Sequence, residues 1–313
     1  MRHQSIVGGA GQSCIGDDNP CESYPHFFCI GPGNSGTTWI ADHLKLQRDV
    51  WLPPIQELGY LNAGFERFRD SDHLTIRWDW WSVAKRIVRN KSFSLKEDRR
   101  FLESAQRLAD VPNTKRDLNL YRKLFEPASG RITGDITPSY AGLDEADIRD
   151  FAPVLKHARI FMIARDPVER FWSAISMFWR DRVFGDVDYH SPEFARTIFE
   201  KHANQNLLSG IVRRWHSGIG EDRLKIFFFD DLASEPGQAY REIVEFIGAD
   251  IRKRIPLISP RYNRKAGALR LRASPEVREW VRNAFQEELH CCADMFGKRG
   301  EKWLRRHSKV IKA

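Results

Sequence analysis

The stretch Gly31-Pro32-Gly33-Asn34-Ser35-Gly36-Thr37-Thr38 constrains this chain more than any other. It follows the apolar run His26 to Ile30, which reads as a buried central strand, and it precedes Thr38 to Leu46, whose spacing suits a helix. Strand, glycine turn and helix in that order make an anion cradle, because glycines let backbone N–H groups turn inward and the helix presents its positive end. From these residues alone, a turn that merely permits close strand–helix packing reads the same way. The spacing nearly meets the GxxxxGK[ST] pattern of nucleoside-triphosphate sites, yet Thr37 stands at the position of its lysine. That lysine bridges the β- and γ-phosphates beside magnesium, so a phosphate-loop kinase is the weaker reading.

The rest of the chain repeats the alternation. Arg131 to Asp135, Arg159 to Ala164 and Leu224 to Phe229 read as strands, and Val168 to Arg180 and Glu235 to Ile247 as helices. The expectation is an α/β fold of the phosphate-loop (P-loop-like) type: a three-layer sandwich whose central parallel sheet is flanked by helices. Residues 1–24, glycine-rich and without period, read as a flexible arm; 25–313 read as one domain, with a helical, charged insertion or lid over 65–125. A chain of 313 residues with 42% hydrophobic content can build that core.

The net charge of +8 suits an anionic ligand. Lysine and arginine are dispersed, without the aromatic-interleaved stripe of a nucleic-acid binder, so no nucleic-acid partner is expected. The basic tail Arg305 to Lys312 reads as a solvated surface. Five cysteines with no CxxC pair and no zinc-type histidine spacing argue against a disulfide scaffold or a metal site. No run approaches the length of a signal peptide or a membrane span, and a cytoplasmic protein is the default expectation.

A second element lies at the end of the Arg159 strand, in Arg165-Asp166-Pro167-Val168-Glu169-Arg170-Phe171-Trp172-Ser173. Pro167 suits a first helical position, Arg165 at the strand end can fork onto a phosphate, and Ser173 two turns later can donate its hydroxyl to the same group. Taken with Asn34-Ser35-Gly36-Thr37-Thr38-Trp39, this segment resembles the sulfotransferases that use 3′-phosphoadenosine 5′-phosphosulfate (PAPS), including the heparan-type and bacterial members. The resemblance runs from Phe27 to roughly Trp303. It implies that Gly33, Asn34, Ser35, Gly36, Thr37, Thr38 and Trp39 hold the 5′-phosphosulfate, and that Arg165 and Ser173 hold the 3′-phosphate.

Three further segments are similar to family stretches. Trp51 to Tyr60 resembles the one that carries the proposed general base, which falls on Glu57. Gly134 to Tyr140 resembles a stretch whose polar side chains line the acceptor side of the cleft, and Tyr262 to Gly267, followed by Pro275 and a helix to about Phe296, resembles a late basic loop, which makes Arg264 and Lys265 cofactor candidates. The implied activity is transfer of a sulfuryl group from PAPS to a hydroxyl or amine, in line and without a metal. The acceptor, whether glycan, lipid or small molecule, is not encoded in any motif, nor is the oligomeric state. The chain departs from the family at Asn34, where relatives carry Lys or Arg on the bridging oxygen. That leaves two readings: another base supplies the charge, with Asn34 itself a catalytic position, or the protein binds the nucleotide with impaired transfer or none.

Overall fold

The computed structural model describes residues 25–54, 57–62, 100, 101, 103, 118–128, 130–251, 271 and 273–308. The expected arm, most of the 65–125 stretch, Arg264 and Lys265 lie outside the described residues.

Five short strands, β1 (Phe27–Cys29), β2 (Val50–Trp51), β3 (Ile132–Ile136), β4 (Arg159–Ala164) and β5 (Leu224–Phe228), form one parallel sheet in the order β2-β3-β1-β4-β5. The central strands β1 and β4 are apolar on both sides because both faces are covered. Phe27 and Cys29 of β1, with Phe161 and Ile163 of β4, enter one hydrophobic cluster, while Phe28, Ile160 and Met162 enter the other. The period-2 alternation of strand side chains thus divides one sequence between two cores. The α/β sandwich with a central parallel sheet is the expected architecture.

Helix α1 (Thr37–Leu44) packs on the first face through Trp39, Ile40, Ala41 and Leu44. On the opposite face α2 (Leu118–Lys123) contributes Tyr121, and α3 (Pro167–Arg180) contributes Val168, Phe171 and Ile175. After β5, a one-turn helix α4 (Phe229–Ser234) leads into α5 (Pro236–Ile247), which joins α1.

Two expectations change at the carboxy-terminal end. The single helix read from Pro275 to about Phe296 is broken at Phe285 into α6 (Pro275–Ala284) and α7 (Gln286–Phe296), and α8 (Lys298–Ser308) follows after a turn at Gly297. The described part of the basic tail is also not simply solvated. In α8 the buried Trp303 shares its face with Arg306 and His307, three and four residues on, and that face docks on the body of the protein. Arg305, beside Glu301, keeps the expected exposure, and Arg306 stays partly exposed while it reaches Asp166. Among the described residues no helix is long and apolar enough to cross a membrane.

Candidate active site

The glycine loop leaves β1 at the carboxyl edge of the sheet, where parallel α/β sheets place ligands. The chain turns from β1 onto one face with α1 and from β4 onto the other with α3, so β1 and β4 flank the point where connections diverge. Two backbone bonds pin the loop entrance: Ile163 N–H donates to the Gly31 carbonyl at 2.9 Å, and Ala141 N–H to the Ile30 carbonyl at 2.8 Å. Gly31 has φ 106°, and a Cβ there would lie 2.3 Å from the Pro138 carbonyl oxygen, so glycine is required both for its backbone angle and for the close approach.

Helix α1 begins without a side-chain cap. Gly36 precedes it at φ 93° and offers no capping side chain, and its first turn contains no acid. The positive end of the helix and its orphan donors therefore face the loop. Within that loop Ser35 is fully buried, and its Oγ has no hydrogen-bond partner among the described residues. Asn34 adopts φ 63°, the left-handed region that asparagine tolerates better than lysine or arginine. Thr37 is buried and Thr38 half-buried. The Trp39 ring packs inward against His43, 4.0 Å between ring centres, and edge-on to Tyr240, so it serves the core.

Arg165 follows β4 immediately. One of its N–H groups donates to the carbonyl oxygen of Asn34, and its guanidinium carbon lies 4.4 Å from the centre of the Phe229 ring. The next residue, Asp166, is 2% exposed and caps α3, accepting from Val168 N at 3.1 Å and Glu169 N at 3.2 Å. Its carboxylate also receives Arg306 from α8 at 2.8 Å and contacts His307 Nε2 at 2.9 and 3.0 Å. Pro167 takes the first helical position as expected. Ser173 lies half-buried two turns along α3.

On β3, beside β1, a polar network gathers around a residue that sequence reasoning placed only among cleft-lining polar groups. Asp135, at 1% exposure on β3, accepts hydrogen bonds from Tyr121 and Tyr140 at 2.8 Å each and from Thr137 at 2.6 Å. Burial pushes its carboxyl above the usual range, offset by these three hydroxyl donors. Two members of the network reach onward: Thr137 Oγ1 accepts from Gly59 N at 3.3 Å, and the Tyr140 hydroxyl accepts from Leu61 N at 3.4 Å. The segment carrying Glu57 is therefore tethered to β3 through Asp135. Glu57 has φ 66°, an uncommon and strained angle for glutamate, and it shares a small cavity with Lys45, Asp135 and Ile136. The sequence signal for this anchor was the Gly-Asp-x-Thr-Pro-x-Tyr spacing from Gly134 to Tyr140, in which Asp135, Thr137 and Tyr140 are the bonded residues.

No curated protein matches the chain. Solved structures do resemble it. A sulfotransferase from Alicyclobacillus acidocaldarius matches with a TM-score of 0.61 at 17% identity, over 89% of this chain and 98% of that one. The sulfotransferase domain of the Synechococcus PCC 7002 olefin synthase gives a TM-score of 0.51 at 18% identity, over 97% of this chain and 94% of its own. The sulfotransferase domain from the curacin biosynthetic pathway also gives 0.51, at 12% identity, over 83% of this chain and 97% of that one. At these identities the likeness is one of fold. The family model described as "Sulfotransferase family" matches residues 25–253 and so spans β1 through β5 with the loop, Glu57, Asp135 and Arg165 between them; the chain belongs to that family.

Proposed function

We propose that the protein transfers the sulfuryl group of PAPS to a hydroxyl or amine acceptor by in-line displacement, without a metal. The observation that carries this reading is the buried, unpartnered Ser35 hydroxyl at the uncapped start of α1. A buried hydroxyl left unsatisfied costs on the order of 1–3 kcal/mol, and an anion accepting from it and from the first-turn N–H groups would remove that cost. PAPS, when bound, supplies an activated sulfuryl group on a phosphate leaving group.

The chain's own residues divide the work. Gly33 to Trp39 bind the 5′-phosphosulfate through backbone N–H groups and the hydroxyls of Ser35, Thr37 and Thr38. Arg165 and Ser173, at the start of and along α3, are the family's residues for the 3′-phosphate, with Arg264 and Lys265 as further candidates. Glu57 takes the acceptor proton, and the Asp135 network holds its segment in place. The strained backbone at Glu57 supports this role, because such angles persist where surrounding structure enforces them. Positioning and electrostatics, not covalent chemistry by the protein, supply the acceleration.

The neutral Asn34 in place of a cation favours a second reading, a nucleotide-binding protein that does not transfer. One set of measurements separates the two: calorimetry with adenosine 3′,5′-bisphosphate and ATP, and transfer of [³⁵S]sulfate from PAPS to a panel of glycan, phenol, amine and lipid acceptors. The enzyme reading expects the bisphosphate to bind more tightly than ATP and at least one acceptor to be labelled. Tight binding with every acceptor unlabelled would favour the second reading, and preference for ATP with magnesium would sink both.

A further inference from the structure

We infer that Arg165 is the cation of the phosphosulfate loop, standing in for the basic side chain that Asn34 lacks. The inference rests on the PAPS reading above and changes the role that reading gives to Arg165. Two contacts place the guanidinium, and a third observation sets its platform beside the loop. It donates to the backbone carbonyl of Asn34, the residue at which the charge is missing. Its flat face rests on the Phe229 ring at 4.4 Å. The same ring borders the loop's other side, since a Cβ on Gly36 would lie 3.3 Å from Phe229 Cδ2. The positive charge is thus held between residues 34 and 36, at the start of α1.

The neighbourhood explains why the side chain turns this way. The first turn of α3 is already occupied by a carboxylate, because Asp166 caps it and is itself held by Arg306 and His307. That helix end has its anion. The start of α1 has no acid and no cap, so an arginine placed between the two helix ends does most good where an incoming anion is expected. A buried arginine, Arg170, lies close enough for Arg165 to depress its ionisation below the usual arginine range, after the larger effect of burial.

In the transfer step the acceptor oxygen forms its bond to sulfur while the bond from sulfur to the 5′-phosphate oxygen breaks. The bonding pair leaves on that phosphate, and the acceptor proton goes to Glu57. Arg165 stays protonated throughout and faces the charge that accumulates on the leaving phosphate. Asn34 then contributes a backbone carbonyl and a left-handed turn, and the guanidinium contributes the charge.

The test compares two probes, adenosine 3′,5′-bisphosphate and adenosine 5′-phosphate, titrated into the wild type, Arg165→Gln and the double variant Asn34→Lys/Arg165→Gln. A loop cation predicts that Arg165→Gln weakens both probes by a similar factor, about 10–100-fold, and that the double variant regains most of the loss for both. A loss confined to the bisphosphate, or a double variant that regains nothing, overturns the inference. Should Arg165→Gln lower the melting midpoint sharply, Phe229→Leu serves instead: it keeps the charge, removes its platform, and should weaken both probes equally, by severalfold. A wild type that binds the bisphosphate no better than adenosine 5′-phosphate would sink the PAPS reading, while the pattern of losses would still decide the place of Arg165. A wild type that binds neither overturns both.

Discussion

Two helices start at the edge of this sheet, and their first turns are opposites. Helix α3 begins with Asp166 as cap and Pro167 at its first position, and its capping carboxylate is buried beneath Arg306 and His307. Helix α1 begins with a glycine in the left-handed region, has no capping side chain and no first-turn acid, and lies beside a serine hydroxyl without a partner among the described residues. Any helix start carries orphan N–H groups and positive potential. At α3 the protein satisfies them internally, and at α1 it leaves them for something else. The difference teaches where an anion is expected without reference to any motif.

The largest predicted effect strikes the geometry that holds α1 in place. Gly31→Ala would drive a Cβ to 2.3 Å from a backbone oxygen at a positive φ, and should cost roughly 3 kcal/mol or more of unfolding free energy, read by urea denaturation. Next comes the capped helix. Asp166→Ala removes the α3 cap and the partner of α8 together, for an expected loss of about 2 kcal/mol, and Asp166→Asn should recover the part owed to the cap.

The uncapped helix should respond in the reverse sense. Ser35→Ala deletes a buried hydroxyl that has no partner among the described residues, so the ligand-free protein should gain on the order of 1 kcal/mol of stability while adenosine 3′,5′-bisphosphate binds roughly tenfold more weakly. Equal stability losses at Asp166 and Ser35 would break the comparison.

The smallest effect is on pH. Burial lowers the ionisation of His43 on α1, and of His26 and His202, below the ordinary histidine value of 6.5. The unfolded chain therefore binds more protons than the folded one below about pH 6.5, so unfolding free energy should fall as pH drops from 7 toward 5. His43→Gln should flatten that slope, measured as the urea midpoint across the same interval.

Much of this could be read along the chain. The Phe27–Cys29 run, the glycines of the loop and Pro167 each state a local backbone requirement, and neighbouring residues carry such requirements. The parallel sheet followed from strands alternating with helices. Strand β2 was too short, at two residues, to show a period, and the helix expected to end near Phe296 proved to be two, with a break at Phe285 that no glycine or proline announced. Glu57 was legible as a candidate base, but its tether was not. The Gly134 to Tyr140 stretch carried Asp135, Thr137 and Tyr140 together, but nothing along the chain announced that Tyr121, fourteen residues before Asp135, joins them or that Gly59 and Leu61 are tied to them.

The sequence by itself determined that a glycine turn stands between β1 and α1, that an Arg-Asp-Pro segment follows β4, and that Asn34 stands where the resembled family carries its loop cation. Only the tertiary structure decided that Asp166 is consumed by Arg306 and His307, some 140 residues away, and that Arg165 lies against the loop between Asn34 and Phe229. The physical reason is one of range. Backbone angles and helix starts are set by a few adjacent residues, whereas the direction of a long charged side chain is set by whichever partners the fold brings within a few ångströms of it.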